Sequence, residues 1–142
     1  MRVRDVMSRG VECIGPERTI QEAARKMRDM DVGPLPVCGD GERLIGMITD
    51  RDITVRAIAE GCDPKQTTVR EVMSEGIRFC FEDDDIEAAA RMMQDEQIRR
   101  LVVLDENKRL VGIVALGDLA TQSDDTRRTG EVLERVSEPA TV

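Results

Sequence analysis

Shifted by 66 positions, the chain lies onto itself. Val3-Arg4-Asp5-Val6-Met7-Ser8 then meets Val69-Arg70-Glu71-Val72-Met73-Ser74. Further along, Ile20, Ala23, Ala24, Arg25 and Met27 meet Ile86, Ala89, Ala90, Arg91 and Met93. Leu35, Val37, Leu44, Gly46 and Asp52 meet Leu101, Val103, Leu110, Gly112 and Asp118. From Val3 to Val55, 18 of 53 ungapped pairs are identical, far above chance, so the chain is an internal duplication. A repeat this short cannot bury a core alone, and two copies are expected to pack together.

Each copy reads as strand–helix–strand–strand–helix. A brief strand (Val11–Ile14; Ile77–Phe81) precedes a helix whose apolar residues Ile20, Ala23, Ala24 and Met27 share one face. Thr19-Ile20-Gln21-Glu22 opens that helix with a capping-box pattern, and Asp85 stands as the cap in the second copy. Two strands follow in each copy, Leu35–Cys38 with Leu44–Ile48, then Leu101–Leu104 with Leu110–Val114. Gly39-Asp40-Gly41 and Glu106-Asn107-Lys108 mark the turns. A second helix starts near Asp50 and stops at Gly61, a C′ glycine. The fold class is α+β, with repeats at 1–61 and 68–121 and a proline-broken linker at 62–67. Thr68-Val69-Arg70-Glu71 caps a short helix entering the second repeat. The tail, 122–142, begins polar, and its Val132, Leu133 and Val136 suit a small docking helix.

Composition narrows the chemistry. The 142 residues include no histidine, tryptophan or tyrosine, so Ser-His-Asp, Cys-His and His-containing zinc sites are excluded. A net charge of −8 opposes nucleic-acid binding, which needs basic side chains to displace counterions. No apolar run is long enough to span a membrane and no signal peptide opens the chain, so a cytoplasmic location is expected. No nucleophile-plus-base pair is present, and catalysis is not expected. Asp83-Asp84-Asp85 reads as a solvated acidic turn, and the methionines as packing residues. The charge divides as −1 over 1–66, −5 over 67–120 and −2 over the tail, which favours anion capture by the first repeat.

The most informative segment is Gly46-Met47-Ile48-Thr49-Asp50-Arg51-Asp52. Glycine on a strand admits a ligand or another backbone. Thr49 offers a hydroxyl at the strand end, and Asp52 a carboxylate able to accept from both hydroxyls of a ribose. Asp50 flanks them, while Arg51 and helix-terminal amides suit phosphate. Thr-x-x-Asp is equally a capping box, and the two roles are compatible.

Together with Gly33-Pro34-Leu35-Pro36-Val37, this segment resembles the cystathionine-β-synthase (CBS) domain family, and residues 3–121 resemble a tandem CBS pair. The resemblance implies two βαββα repeats packed by pseudo-two-fold symmetry, with adenosyl ligands such as AMP, ADP or ATP bound in the cleft between them. It implies a regulatory sensor that needs no cofactor, assembles as a homodimer and acts on a partner protein the sequence does not name. Thr49 and Asp52 match the ribose-contact pattern, Leu35 and Pro36 match the strand flanking adenine, and Ile14 lies on the facing strand. The second copy keeps Gly112 and Asp118 but carries Ala115 for the hydroxyl, which costs about 1 kcal/mol, near fivefold in affinity. Arg99 and Arg100, preceding Leu101, replace Gly33 and Pro34 and could meet phosphate, occlude the site or remain solvated. The expectation is a stronger first site and a weaker second one.

Family topology also sets the strands of Cys13 and Cys38 side by side, where the second copy has Phe79 and Leu104. Two readings stand: buried core thiols, or a redox-responsive disulfide stabilising by about 3 kcal/mol through a closed loop of roughly 25 residues. The second supports an alternative function, a nucleotide-independent stress or redox-responsive interaction protein. Cys62 and Cys80 have no evident mate, and no metal site is expected.

Overall fold

The computed structural model describes residues 1–122, so the helix expected in the tail lies outside the described residues. The chain divides into two compact units, one of Glu12–Ile77 and one of Met1–Val11 with the described residues from Arg78 onward. These units are not the sequence repeats. Each takes the body of one repeat and the leading segment of the other.

In the Glu12–Ile77 unit, α1 (Ile20–Met30) starts at Thr19, whose Oγ1 accepts from the Glu22 amide at 3.2 Å. Its inner face is Ile20, Ala23 and Met27, all buried, whereas Ala24 of the expected face is exposed. The helix ends at Asp31, left-handed with φ 55°, where the Val32 amide returns to the Met27 carbonyl at 3.0 Å. That is the closure usually made with glycine. Strands β1 (Pro34–Cys38) and β2 (Leu44–Thr49) pair antiparallel, with Pro34 opposite Thr49 and a bulge after Val37. Helix α2 (Asp50–Asp52) continues as a π-helical segment, Ile53–Ile58. Gly61, at φ 77°, closes it, with Cys62 donating to Ala57 at 2.9 Å. The stretch 62–67 then packs back on the unit, Thr67 accepting from the Ile20 amide at 2.9 Å. Helix α3 (Val69–Val72) starts at Thr68, whose amide donates to Glu71 Oε2 at 2.7 Å.

The strand expected over Val11–Ile14 is reduced to one parallel bridge, Ile14 to Val37. The other unit has a full strand there, β3 (Phe79–Phe81), parallel to β4 (Arg100–Leu104), which pairs antiparallel with β5 (Leu110–Ala115). The reason is local. Glu82 extends the β3 ladder by donating to Leu104 at 2.9 Å, but its counterpart is Pro16, which has no N–H to give. Helix α4 (Ile86–Glu96) follows β3, and α5 (Leu116–Gln122) follows β5. Asp85 holds the cap position of α4 without a side-chain cap bond, a correction to the expectation. Of the acidic turn, Asp83 pairs with Arg2 and Arg4, and Asp84 Oδ2 accepts from the Phe81 amide at 2.9 Å.

Both cores are built from matching positions. Met27, Leu35, Val37, Ile48 and Val69 fill one, and Met93, Leu101, Val103, Val114 and Val3 the other. The leading segments dock by two backbone bonds each: Ser74 with Met47 (2.8 and 3.0 Å), and Ser8 with Ile113 (2.8 and 3.1 Å). This docking explains the strand glycines. A Cβ on Gly46 would stand 2.6 Å from Met73 Sδ, and one on Gly112 2.6 Å from the Ser8 carbonyl oxygen. No helix among the described residues is long and apolar enough to cross a membrane.

Candidate functional site

Where β2 runs into α2, Thr49 and Asp52 interlock. Asp52 Oδ2 accepts from the Thr49 amide at 3.0 Å, and Thr49 Oγ1 accepts from the Asp52 amide at 3.0 Å. The capping box is therefore present. It leaves the Thr49 hydroxyl proton and most of the capacity of Asp52 Oδ1 available for a further partner. Asp52 is 17% exposed at its side chain, and Oδ1 lies 4.0 Å from Arg56 Nε. Arg56 in turn donates to the Val72 and Met73 carbonyls at 3.3 and 3.4 Å. Sequence reasoning missed Arg56. Its signal was the i,i+4 spacing from Asp52, the ordinary reach of a helical ion pair.

Asp50 is exposed and folds back on its own turn, Oδ1 accepting from the Arg51 amide at 2.9 Å. Its backbone amide donates to the Gly33 carbonyl at 3.2 Å, and a Cβ on Gly33 would lie 3.2 Å from Asp50 Oδ1. Arg51 is exposed at the same corner. The start of β1 reaches this corner through the Pro34–Thr49 register. Ile14 and Pro36 adjoin, the Ile14 amide donating to the Pro36 carbonyl at 2.9 Å. Ile14 (6% exposed) and Leu35 (0%) belong to the core, so Leu35 offers the site its backbone rather than its side chain.

The corresponding corner of the other unit keeps half of this arrangement. Asp118 Oδ2 accepts from the Ala115 amide at 2.7 Å, with no hydroxyl to answer it. Leu116, in the place of Asp50, is 4% exposed and joins the core, its amide donating to the Arg99 carbonyl at 2.8 Å. Arg99 and Arg100 are exposed, Arg100 lies opposite Ala115, and Leu101 is buried. The charge character of the two corners is thus inverted: Asp50, Arg51 and Asp52 in one, Arg99, Arg100 and Asp118 in the other.

Cys38 is buried at 5% exposure and Cys13 is half-buried, both as free thiols. Burial pushes the Cys38 thiol far up from its ordinary range, reinforced by a hydrogen bond with Cys13 and by the charges of Cys13 and Glu42. Cys80, in the other core, is pushed up to about 12 by burial, with a further contribution from Asp84. Among the described residues, no group of three or more cysteine or acidic side chains is placed to hold a metal ion.

The model of the CBS domain matches residues 3–57 and 69–124. The CBS domain-containing protein YhcV of Bacillus subtilis is 44% identical over 135 residues, covering 95% of this chain and 94% of its own. The crystal structure of Hypoxic Response Protein I, with two coordinated zinc ions, superposes at TM-score 0.77 and 41% identity, over 86% of this chain and 98% of that one. The CBS domain pair of protein MJ0100, in complex with 5′-methylthioadenosine and S-adenosyl-L-methionine, superposes at TM-score 0.71 and 27% identity, over 85% and 94%. Two matched repeats, a duplicated α+β body and relatives aligned along most of the chain lead to one conclusion: this chain belongs to the CBS domain family.

Proposed function

We propose that the protein is a non-catalytic regulatory sensor whose Glu12–Ile77 unit binds an adenosyl ligand at the β2–α2 corner. The observation that carries this reading is the split use of Asp52: one oxygen closes the cap, while the other, 4.0 Å from Arg56 Nε, keeps capacity to accept from a pair of hydroxyls. Asp52 Oδ1 and the Thr49 hydroxyl take the ribose. Ile14, Leu35 and Pro36 back the adenine, and Arg51 meets phosphate beside Asp50. An adenosyl-bound CBS pair of the same fold supports the ligand class. The corner formed by Arg99, Arg100, Leu101 and Asp118 is the weaker second site. AMP, ADP or ATP acts as the regulatory ligand.

Occupancy transmits a signal only if the ligand prefers one conformation or one partner-bound state. The output therefore belongs to a partner protein, with the sensor itself a homodimer. Val55 and Ile58, 47% and 51% exposed in the π-helical segment that continues α2, support self-association.

Isothermal titration with AMP, ADP, ATP, NAD and S-adenosylmethionine tests the site. Asp52→Asn keeps a cap acceptor but removes the charge, and it should weaken binding by about tenfold or more. Equal losses from Asp52→Asn and Asp118→Asn, or no heat with any ligand, would overturn the reading.

A further inference from the structure

Two thiols stand together in the Glu12–Ile77 unit and take no part in the adenosyl corner. Cys13 and Cys38 flank the Ile14–Val37 bridge, which is fixed by Ile14 donating to Pro36 at 2.9 Å and Cys38 donating to Ile14 at 3.0 Å. The two side chains meet there, Cys38 hydrogen-bonding with Cys13, and neither belongs to the core that Ile14 and Val37 enter. Lys26 Nζ donates to the Cys13 carbonyl at 3.0 Å and pins that segment to α1. A cavity of about 700 Å³ opens beside Cys38, walled by Gly15, Pro16, Arg18, Asp40 and Arg70 among others. Pro16, which cannot continue the ladder, and Cys38 both line it, so a small molecule has room next to the thiol.

We propose that Cys13 and Cys38 form a reversible intramolecular disulfide by exchange with a low-molecular-weight disulfide, making this unit a two-electron redox-modification site. Cys13, the more accessible thiol, attacks first as thiolate. Its sulfur bonds to one sulfur of the reagent, the reagent S–S bond breaks, and the departing thiolate takes a proton. Cys38 then attacks the Cys13 sulfur of the mixed disulfide, releasing the second small thiol. Two protein thiols are oxidised, one small disulfide is reduced to two small thiols, and both protons leave with them.

The order follows from environment. Burial holds Cys38 protonated, so it is a poor first nucleophile. Once Cys13 is in a mixed disulfide its charge is gone, and one cause opposing Cys38 ionisation goes with it. The proposal is independent of the adenosyl reading, since its chemistry uses neither Thr49 nor Asp52. The corresponding positions of the other unit hold Phe79 and Leu104 and carry no such chemistry.

The test uses the full chain, reduced, desalted and exposed to oxidised glutathione, followed by thiol titration and non-reducing peptide mapping. Two of the four thiols should disappear, return on reduction and map to a Cys13–Cys38 cross-linked peptide with no glutathione retained. Cys38→Ser should trap one glutathione on Cys13, while Cys13→Ser should stop the loss of the pair. Cys62→Ser should leave the pairing unchanged. A stable glutathione adduct on wild-type Cys13, a disulfide between chains, or four persisting thiols would overturn the proposal. The wild-type map decides the matter even where a variant fails to fold.

Discussion

The two units share one arrangement, the body of one repeat with the leading segment of the other, and they differ most outside their matching cores. At matching core positions little changes: Leu35 and Leu101 are the same, Val37 and Val103 are the same, and Ile48 stands against Val114, all essentially inaccessible. At the β2–α2 corner the exchanges change chemistry instead, with Thr49 against Ala115, Asp50 against Leu116 and Gly33 against Arg99. The edge next to β1 shows the same divergence, Cys13 and Pro16 standing against Phe79 and Glu82. Packing restrains the core because each lost methylene or added atom disturbs dense neighbours. Most corner positions are half-buried or exposed, so their side chains can change without disturbing that packing, and only Leu116 has joined the core.

Four outcomes would break or sharpen this contrast. The largest concerns the docking glycines. Gly112→Ala sets a Cβ against the Ser8 backbone oxygen at 2.6 Å, whereas Gly46→Ala first meets the movable Met73 sulfur. Urea unfolding should show a loss of about 3 kcal/mol for Gly112→Ala and a smaller loss for Gly46→Ala. Equal losses would mean that the two units dock their leading segments alike.

Next comes ligand affinity. Asp52→Asn should cost about 2 kcal/mol in adenosyl binding by calorimetry, against little change for Asp118→Asn. A third outcome concerns alkaline stability. The folded-state pKa of Cys80 is raised to about 12 from 9.0, so between those values the unfolded chain has released a proton the folded one keeps. Stability is then whole below the unfolded value and falls as pH rises, by about 1.4 kcal/mol per pH unit for that thiol. Cys80→Val should remove that share of the slope measured between pH 9 and 11 and leave the share of buried Cys38. The smallest effect is a gain: Ala115→Thr completes the second capping box and should tighten that corner by about fivefold, near 1 kcal/mol. No change in the titration would show that the hydroxyl is not what separates the two sites.

Much of this was legible in the chain. The periodicity of Ile20, Ala23 and Met27 located α1, and Thr19 marked its start. Gly61 ended the segment after α2, and Thr49 with Asp52 stood out as a polar pair that is both a cap and a candidate clamp. The misses have physical causes. Asp31 ends α1 in a left-handed conformation that sequence rules reserve for glycine, and Gln97, at φ 53°, does the same for α4. Val11–Ile14 reads as a brief apolar strand, yet Pro16 withholds the N–H that would lengthen its pairing. Arg56 gave no sign of reaching the Val72 and Met73 carbonyls, because those atoms lie on a segment 16 and 17 residues away.

By itself the sequence determined the duplication, the α+β class, the two helices with their apolar faces and the absence of histidine chemistry. These are local or periodic properties, written in side-chain spacing. Only the tertiary structure decided that each leading segment docks on the body of the other repeat. It also decided that the strand glycines yield to that docking, that a cavity opens beside Pro16, and how far Cys13 and Cys38 differ in exposure. Those outcomes depend on backbone pairing between distant residues, where hydrogen-bond donors and close approach govern, and side-chain periodicity carries no record of either.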